Sequence, residues 1–80
     1  MERLKVPKLV ITFPTTTAAM AMDAACDPAW GRLIPIPKEI SGGCGLAFCA
    51  APGQEAALMQ LMEEKGISYQ EKRVILLYGT

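Results

Sequence analysis

The alternation of apolar runs and breakers predicts an α+β domain of ferredoxin-like type, βαββαβ, with a four-stranded antiparallel sheet and two helices on one face. Three observations lead there. Leu9-Val10-Ile11-Thr12-Phe13 and Val74-Ile75-Leu76-Leu77-Tyr78 are almost continuously apolar or β-branched, as strands are. Two segments with apolar residues at helical spacing alternate with strand-like ones. Pro35 and Pro37, two residues apart, mark a strand confined to a sheet edge, which is where this topology places its second strand. At 80 residues the chain is expected to form one domain, 1–80, around a small core.

The first strand is expected over Lys8–Phe13, stopped by Pro14. Thr15, Thr16 or Thr17 can cap the helix that follows, since any of the three hydroxyls can accept from a first-turn amide. That helix runs from about Thr17 to Cys26, with Ala18, Met22 and Cys26 at spacing four on one apolar face. Asp27-Pro28 ends it, because a proline disfavours helical geometry at the residue before it. Trp30 lies in the connection, where it is expected to fold over a core edge.

The second strand spans Arg32–Pro37. Neighbouring residues in a strand send their N–H groups to opposite sides, so Pro35 and Pro37 can both lack a donor on the outer side while Ile34 and Ile36 pair inward. The same prolines blunt that edge against unwanted pairing. After a Lys38–Gly43 turn, Cys44–Ala50 reads as the third strand. Leu46 and Phe48 share the parity of Cys44, while Ala47 and Cys49 face the other way. Pro52-Gly53 breaks it, a second helix follows over about Gln54–Lys65, and Gly66 suits its C-cap. Lys72–Tyr78 completes the sheet.

Composition narrows the function. Eight basic and eight acidic residues cancel, and no basic run is interleaved with aromatics, which argues against nucleic acid as a partner. No stretch approaches a membrane span, and Met1-Glu2-Arg3 leads into no signal-peptide core, so a cytoplasmic location is expected. Histidine is absent, which removes the usual general base and the commonest metal ligand. The three cysteines have no zinc-site spacing and no CxxC pair. No metal, no cofactor and no internal disulfide is expected.

What remains is Cys44, set between Gly42-Gly43 and Gly45. Glycines strip side chains from around the sulfur, so a backbone, a small anion or a partner protein can approach it. The block Pro35-x-Pro37-Lys38-x-Ile40-Ser41-x-Gly43-Cys44-Gly45-Leu46-Ala47 resembles the signature of a selenium/sulfur carrier-like family of small bacterial proteins. A looser similarity extends from the Lys8–Phe13 strand to the Gly66-Ile67 turn. Two positions depart from the pattern: Lys38 stands where arginine is usual, and Cys49 where a basic residue often follows the Gly-Leu-Ala-apolar run.

The topology is expected to bring Cys44 to the sheet end where the first helix begins. The helix N-terminus, the Gly42-Gly43 amides, Ser41 and Lys38 would there favour a thiolate. The resemblance implies a carrier holding a persulfide or perselenide on Cys44, more a carrier protein than a turnover enzyme. Ser41, Gly42, Gly43, Gly45 and Lys38 would be its anion-binding surroundings, and a sulfur or selenium donor and an acceptor protein its partners. The alternative is a non-catalytic anion- or partner-binding assembly module, in which the glycines merely make a tight turn and the thiol is incidental. Cys26 is expected in the core, and Cys49 as a small residue packing under the sheet. Two-sided apolar runs in the first and last strands predict self-association, as a homodimer.

Overall fold

The computed structural model describes residues 4–38, 40 and 44–78. Chain order is β1 (Lys5–Thr12), α1 (Thr16–Ala25), β2 (Gly31–Pro35), β3 (Leu46–Ala50), a single 3-10 turn (Pro52–Gln54), α2 (Glu55–Lys65) and β4 (Glu71–Tyr78). The strands form one antiparallel sheet in the order β2-β3-β1-β4. This is the expected ferredoxin-like arrangement, with β1 and β3 central and the proline-bearing β2 on an edge.

The threonine ambiguity resolves at Thr15. Its backbone is extended, and its Oγ1 accepts the Ala18 N–H at 3.1 Å. α1 stops at Ala25; the Cys26 N–H still reaches Met22 O at 3.0 Å. Asp27 then closes a turn, its Oδ1 accepting from Ala29 N–H and its carbonyl from Trp30 N–H. At the end of α2, Gly66 takes the left-handed conformation (φ 67°) that lets the Ile67 N–H close onto Met62 O at 2.9 Å.

The prolines act as their spacing implied. Ile36 N–H donates to Gly45 O at 2.9 Å, so the residue between Pro35 and Pro37 pairs inward. Several strand boundaries moved. β2 ends at Pro35 rather than Pro37, β1 ends one residue early at Thr12, and β2 and β4 each begin one residue early. β1 and β3 shift most at their starts. β1 starts at Lys5 rather than Lys8, because β4 is long enough to pair with it from Lys5↔Tyr78 to Thr12↔Glu71. β3 starts at Leu46 rather than Cys44, because Gly45 has φ 88° and interrupts the extended chain.

Both helices cover one face. Leu9, Ile11, Phe48 and Ala50 from the strands and Phe13 just past β1 bury with Ala19, Met22 and Cys26, and with Leu58 and Met62 of α2. Each fully buried large side chain contributes roughly 1.5–3 kcal/mol, so this cluster is the main source of stability. The other face is not left bare. Val10 and Ala47 are fully buried there because Ile40, from the β2–β3 connection, folds over them with Ile34, Ile36, Ile75 and Leu77 around it.

The exposed apolar surface lies elsewhere. β1 and β4 continue past β3 as a two-stranded ribbon; Leu76 there and Val74, at the last position β3 reaches, are half-exposed, and Leu4 more so. Val74 pairs with Leu9 and so lies on the helix-bearing face, beyond the reach of the helices.

Candidate functional site

The register fixes where Cys44 lies. Thr12 pairs with Ala47, so the residues before β3 extend past the C-terminal end of β1. α1 begins at that same end, four residues after β1 stops. Gln70 arrives there too, its N–H donating to Thr12 O at 2.7 Å. Cys44 is half-buried and packs against the helix-side core, with the parity expected of it. It sits in a turn rather than in the strand, since Gly45 separates it from Leu46. Its Sγ faces Leu46 O at 3.9 Å, the thiol donating weakly.

Gly45 is exposed, and a β-carbon added there would meet nothing within 4 Å. Glycine is required at that position by the positive φ, and open space beside the sulfur comes with it. Lys38 is exposed at the start of the same connection. The contribution of the α1 N-terminus is smaller than a bare helix end would give, because Thr15 already occupies the Ala18 amide. Ser41, Gly42 and Gly43, and with them the expected anion-binding amides, lie outside the described residues. Ile40 and Cys44 bracket that stretch on opposite faces of the sheet.

The other two cysteines differ in setting. Cys26 is buried, and burial, then Asp27 and Asp23, push its thiol above the ordinary range. Its Sγ donates to Asp27 O at 3.5 Å, which also favours the protonated form. Cys49 lies on the face away from the helices. Burial pushes its thiol up, and the charges of Lys8 and Arg32 oppose that rise. All three are free. Cys44 and Cys49 stand at opposite ends of β3 and on opposite faces, so no bond can join them within this fold.

Raised thiols make stability depend on pH in a definite direction. Because Cys26 and Cys49 bind their protons more tightly folded than unfolded, their contribution is intact below the ordinary thiol range and is lost as pH rises through the raised values. The urea midpoint is therefore expected to hold to about pH 8 and fall above about pH 9. Cys26→Ala should flatten that fall; an unchanged alkaline slope would remove Cys26 as its source.

A feature missed from sequence is a groove of about 370 Å³ at the far end of β3 from Cys44, lined by Cys49, Lys8, Arg32 and Trp30 among others. The signal was present in part: once the strands pair, Arg32 and Cys49 are directly opposite. Cys49 had read only as filler under the sheet. Among the described residues no helix is long and apolar enough to cross a membrane.

A family model described as "Putative Se/S carrier protein-like" matches residues 8–72, most of the chain. No curated protein matches the chain, and no solved structure does.

Proposed function

The chain belongs to this selenium/sulfur carrier-like family, and from that premise we propose that Cys44 carries a terminal sulfur or selenium atom for delivery to a partner enzyme. The observation that supports it most is the setting of Cys44: a half-exposed thiol, in a turn, beside a glycine whose flank is open. Loading needs no cofactor and no net oxidant. The Cys44 thiolate attacks the outer sulfur of a donor persulfide, R–S–S⁻; the donor's S–S bond breaks, R–S⁻ leaves, and Cys44–S–S⁻ remains. A nucleophile on the acceptor then takes the outer atom and the Cys44 thiolate is restored.

The experiment is mass spectrometry of the intact protein after incubation with a small-molecule persulfide. A gain of one sulfur, removed by reductant, is the expected result. A protein that takes up no sulfur would leave the binding-module reading in its place, with the thiol incidental. A selenium-loaded donor run in parallel distinguishes the two chalcogens. The cytoplasm, where thiols stay reduced, is the compartment that suits such a carrier.

We place self-association at β4. The β2 edge is blunted by Pro35 and Pro37, whereas β4 is an eight-residue edge strand without proline. With one edge blocked, pairing is β4 to β4, which closes a two-fold dimer instead of propagating a filament. Centred on Ile75, that pairing sets Val74 of each copy against Leu76 of the other and avoids like-charge pairs among Glu71, Lys72 and Arg73. Sedimentation at micromolar concentration should show a dimer, and Leu76→Lys a monomer. A wild-type monomer would leave β4 as a plain solvated edge.

A further inference from the structure

The groove at Cys49 has a chemistry of its own, independent of anything Cys44 does. Arg32 pairs directly with Cys49 across β2–β3, and Val10 pairs with Cys49 across β1–β3. Lys8, two residues before Val10 on the same face, is therefore the diagonal neighbour of Cys49. Three side chains from three strands thus converge at one spot on the sheet: two cations and, between them, a half-buried thiol.

Neither cation is ion-paired among the described residues. The Lys72–Glu55 and Arg73–Glu71 ion pairs involve neither Lys8 nor Arg32. Among the described residues no aspartate or glutamate lines the groove, so the charge they give it is positive. Both cations are close enough to the Cys49 sulfur for their charges to act on it. The remaining walls are largely apolar, with Pro28, Trp30 and Leu77. At about 370 Å³ the volume lies at the small end of the range for ligand sites, too small for a macromolecular segment of any length and ample for one ring.

We propose that this groove binds a small organic anion, its carboxylate or equivalent oxyanion held between Lys8 and Arg32 and its apolar part against the Pro28–Trp30 wall, lying over the Cys49 thiol. Two unpaired cations on a rigid sheet supply orientation and specificity, and the apolar wall supplies the burial that free phosphate or chloride could not use. The ligand's presence is reported by the sulfur beneath it.

The test uses benzoate and its uncharged analogue benzamide, with iodoacetamide labelling of Cys49 read by peptide mass spectrometry on the full chain. Benzoate should slow Cys49 labelling roughly threefold at about twice a millimolar dissociation constant, and leave Cys44 labelling unchanged. Benzamide should not slow it, and about 0.5 M salt should erase the benzoate effect by screening. The Lys8→Gln/Arg32→Gln variant should lose protection. Should that variant fold poorly, the benzoate–benzamide contrast and the salt response of the unmodified protein decide. No protection by benzoate at tens of millimolar, or equal protection by benzamide, overturns the proposal. Loading of Cys44 stays intact in either case, so the two readings fail separately.

Discussion

Gly31→Ala should lower the melting temperature by roughly 5–20 °C. Gly31 opens β2 opposite Ala50, and β3 runs so close to it that a β-carbon would lie 2.5 Å from Cys49 O and 2.5 Å from Cε2 of Phe48. No real β-carbon sits at such distances. The Phe48 ring is fully buried in the helix-side core and the Cys49 carbonyl belongs to the sheet, so neither can retreat freely. Overpacking of this kind costs about 1–3 kcal/mol, and each kcal/mol moves the midpoint of a domain this size by about 4–8 °C. Against a total of roughly 4–12 kcal/mol for a chain of this length, that is a large share. The double variant Gly31→Ala/Phe48→Leu separates the two contacts. It relieves the ring and leaves the carbonyl, so the two changes should be non-additive and recovery only partial. A thermal midpoint within about a degree of wild type for Gly31→Ala would mean that β2 can move away from β3 at no cost.

The same glycine shows what the sequence could and could not convey. That β2 is an edge strand was legible, because the missing N–H of proline is a property of the residue itself, and the Ile36–Gly45 bond follows from it. The parity of Cys44 was equally legible, since alternation holds across one residue of irregular backbone. The positive φ of Gly45 was not, and it turns Cys44 from a strand residue into a turn residue. Thr15, Thr16 and Thr17 offer identical chemistry; which of them caps depends on where the fully buried Phe13 anchors the chain before the helix. Lys5-Val6-Pro7 joins β1 only because β4 is there to pair with it. Tertiary pairing also gathers Lys8, Arg32 and Cys49, which are far apart in sequence and individually ordinary. The Ile40 cover over Val10 and Ala47 had no signal either, and it moves the exposed apolar surface from the sheet face to the β1–β4 ribbon.

Cys44→Ser should abolish chalcogen loading completely, while Cys26→Ala and Cys49→Ala retain it. The difference rests on access and protonation. Cys26 is sealed in the core beside two carboxylates, and both Cys26 and Cys49 have thiols pushed up by burial. A thiol raised above the ordinary range is held almost wholly protonated at neutral pH, and only the thiolate attacks a persulfide. Cys26 and Cys49 should therefore alkylate at least about tenfold more slowly than Cys44 in the folded protein, and the gap should close in denaturant. Serine keeps nearly the size of cysteine and the thiol makes only a long contact to Leu46 O, so the fold should survive and the loss be chemical. Far-UV circular dichroism and the thermal midpoint verify that point before loading is measured. If Cys44→Ser still gains one sulfur, and Cys49→Ala does not, the carrier thiol is the one in the groove. Gly45→Ala gives a graded companion to the serine variant. Its positive φ costs a β-carbon roughly 1–2 kcal/mol, which shifts the turn that holds Cys44 without touching the sulfur. It should lower the loading rate while leaving the final stoichiometry at one atom per chain.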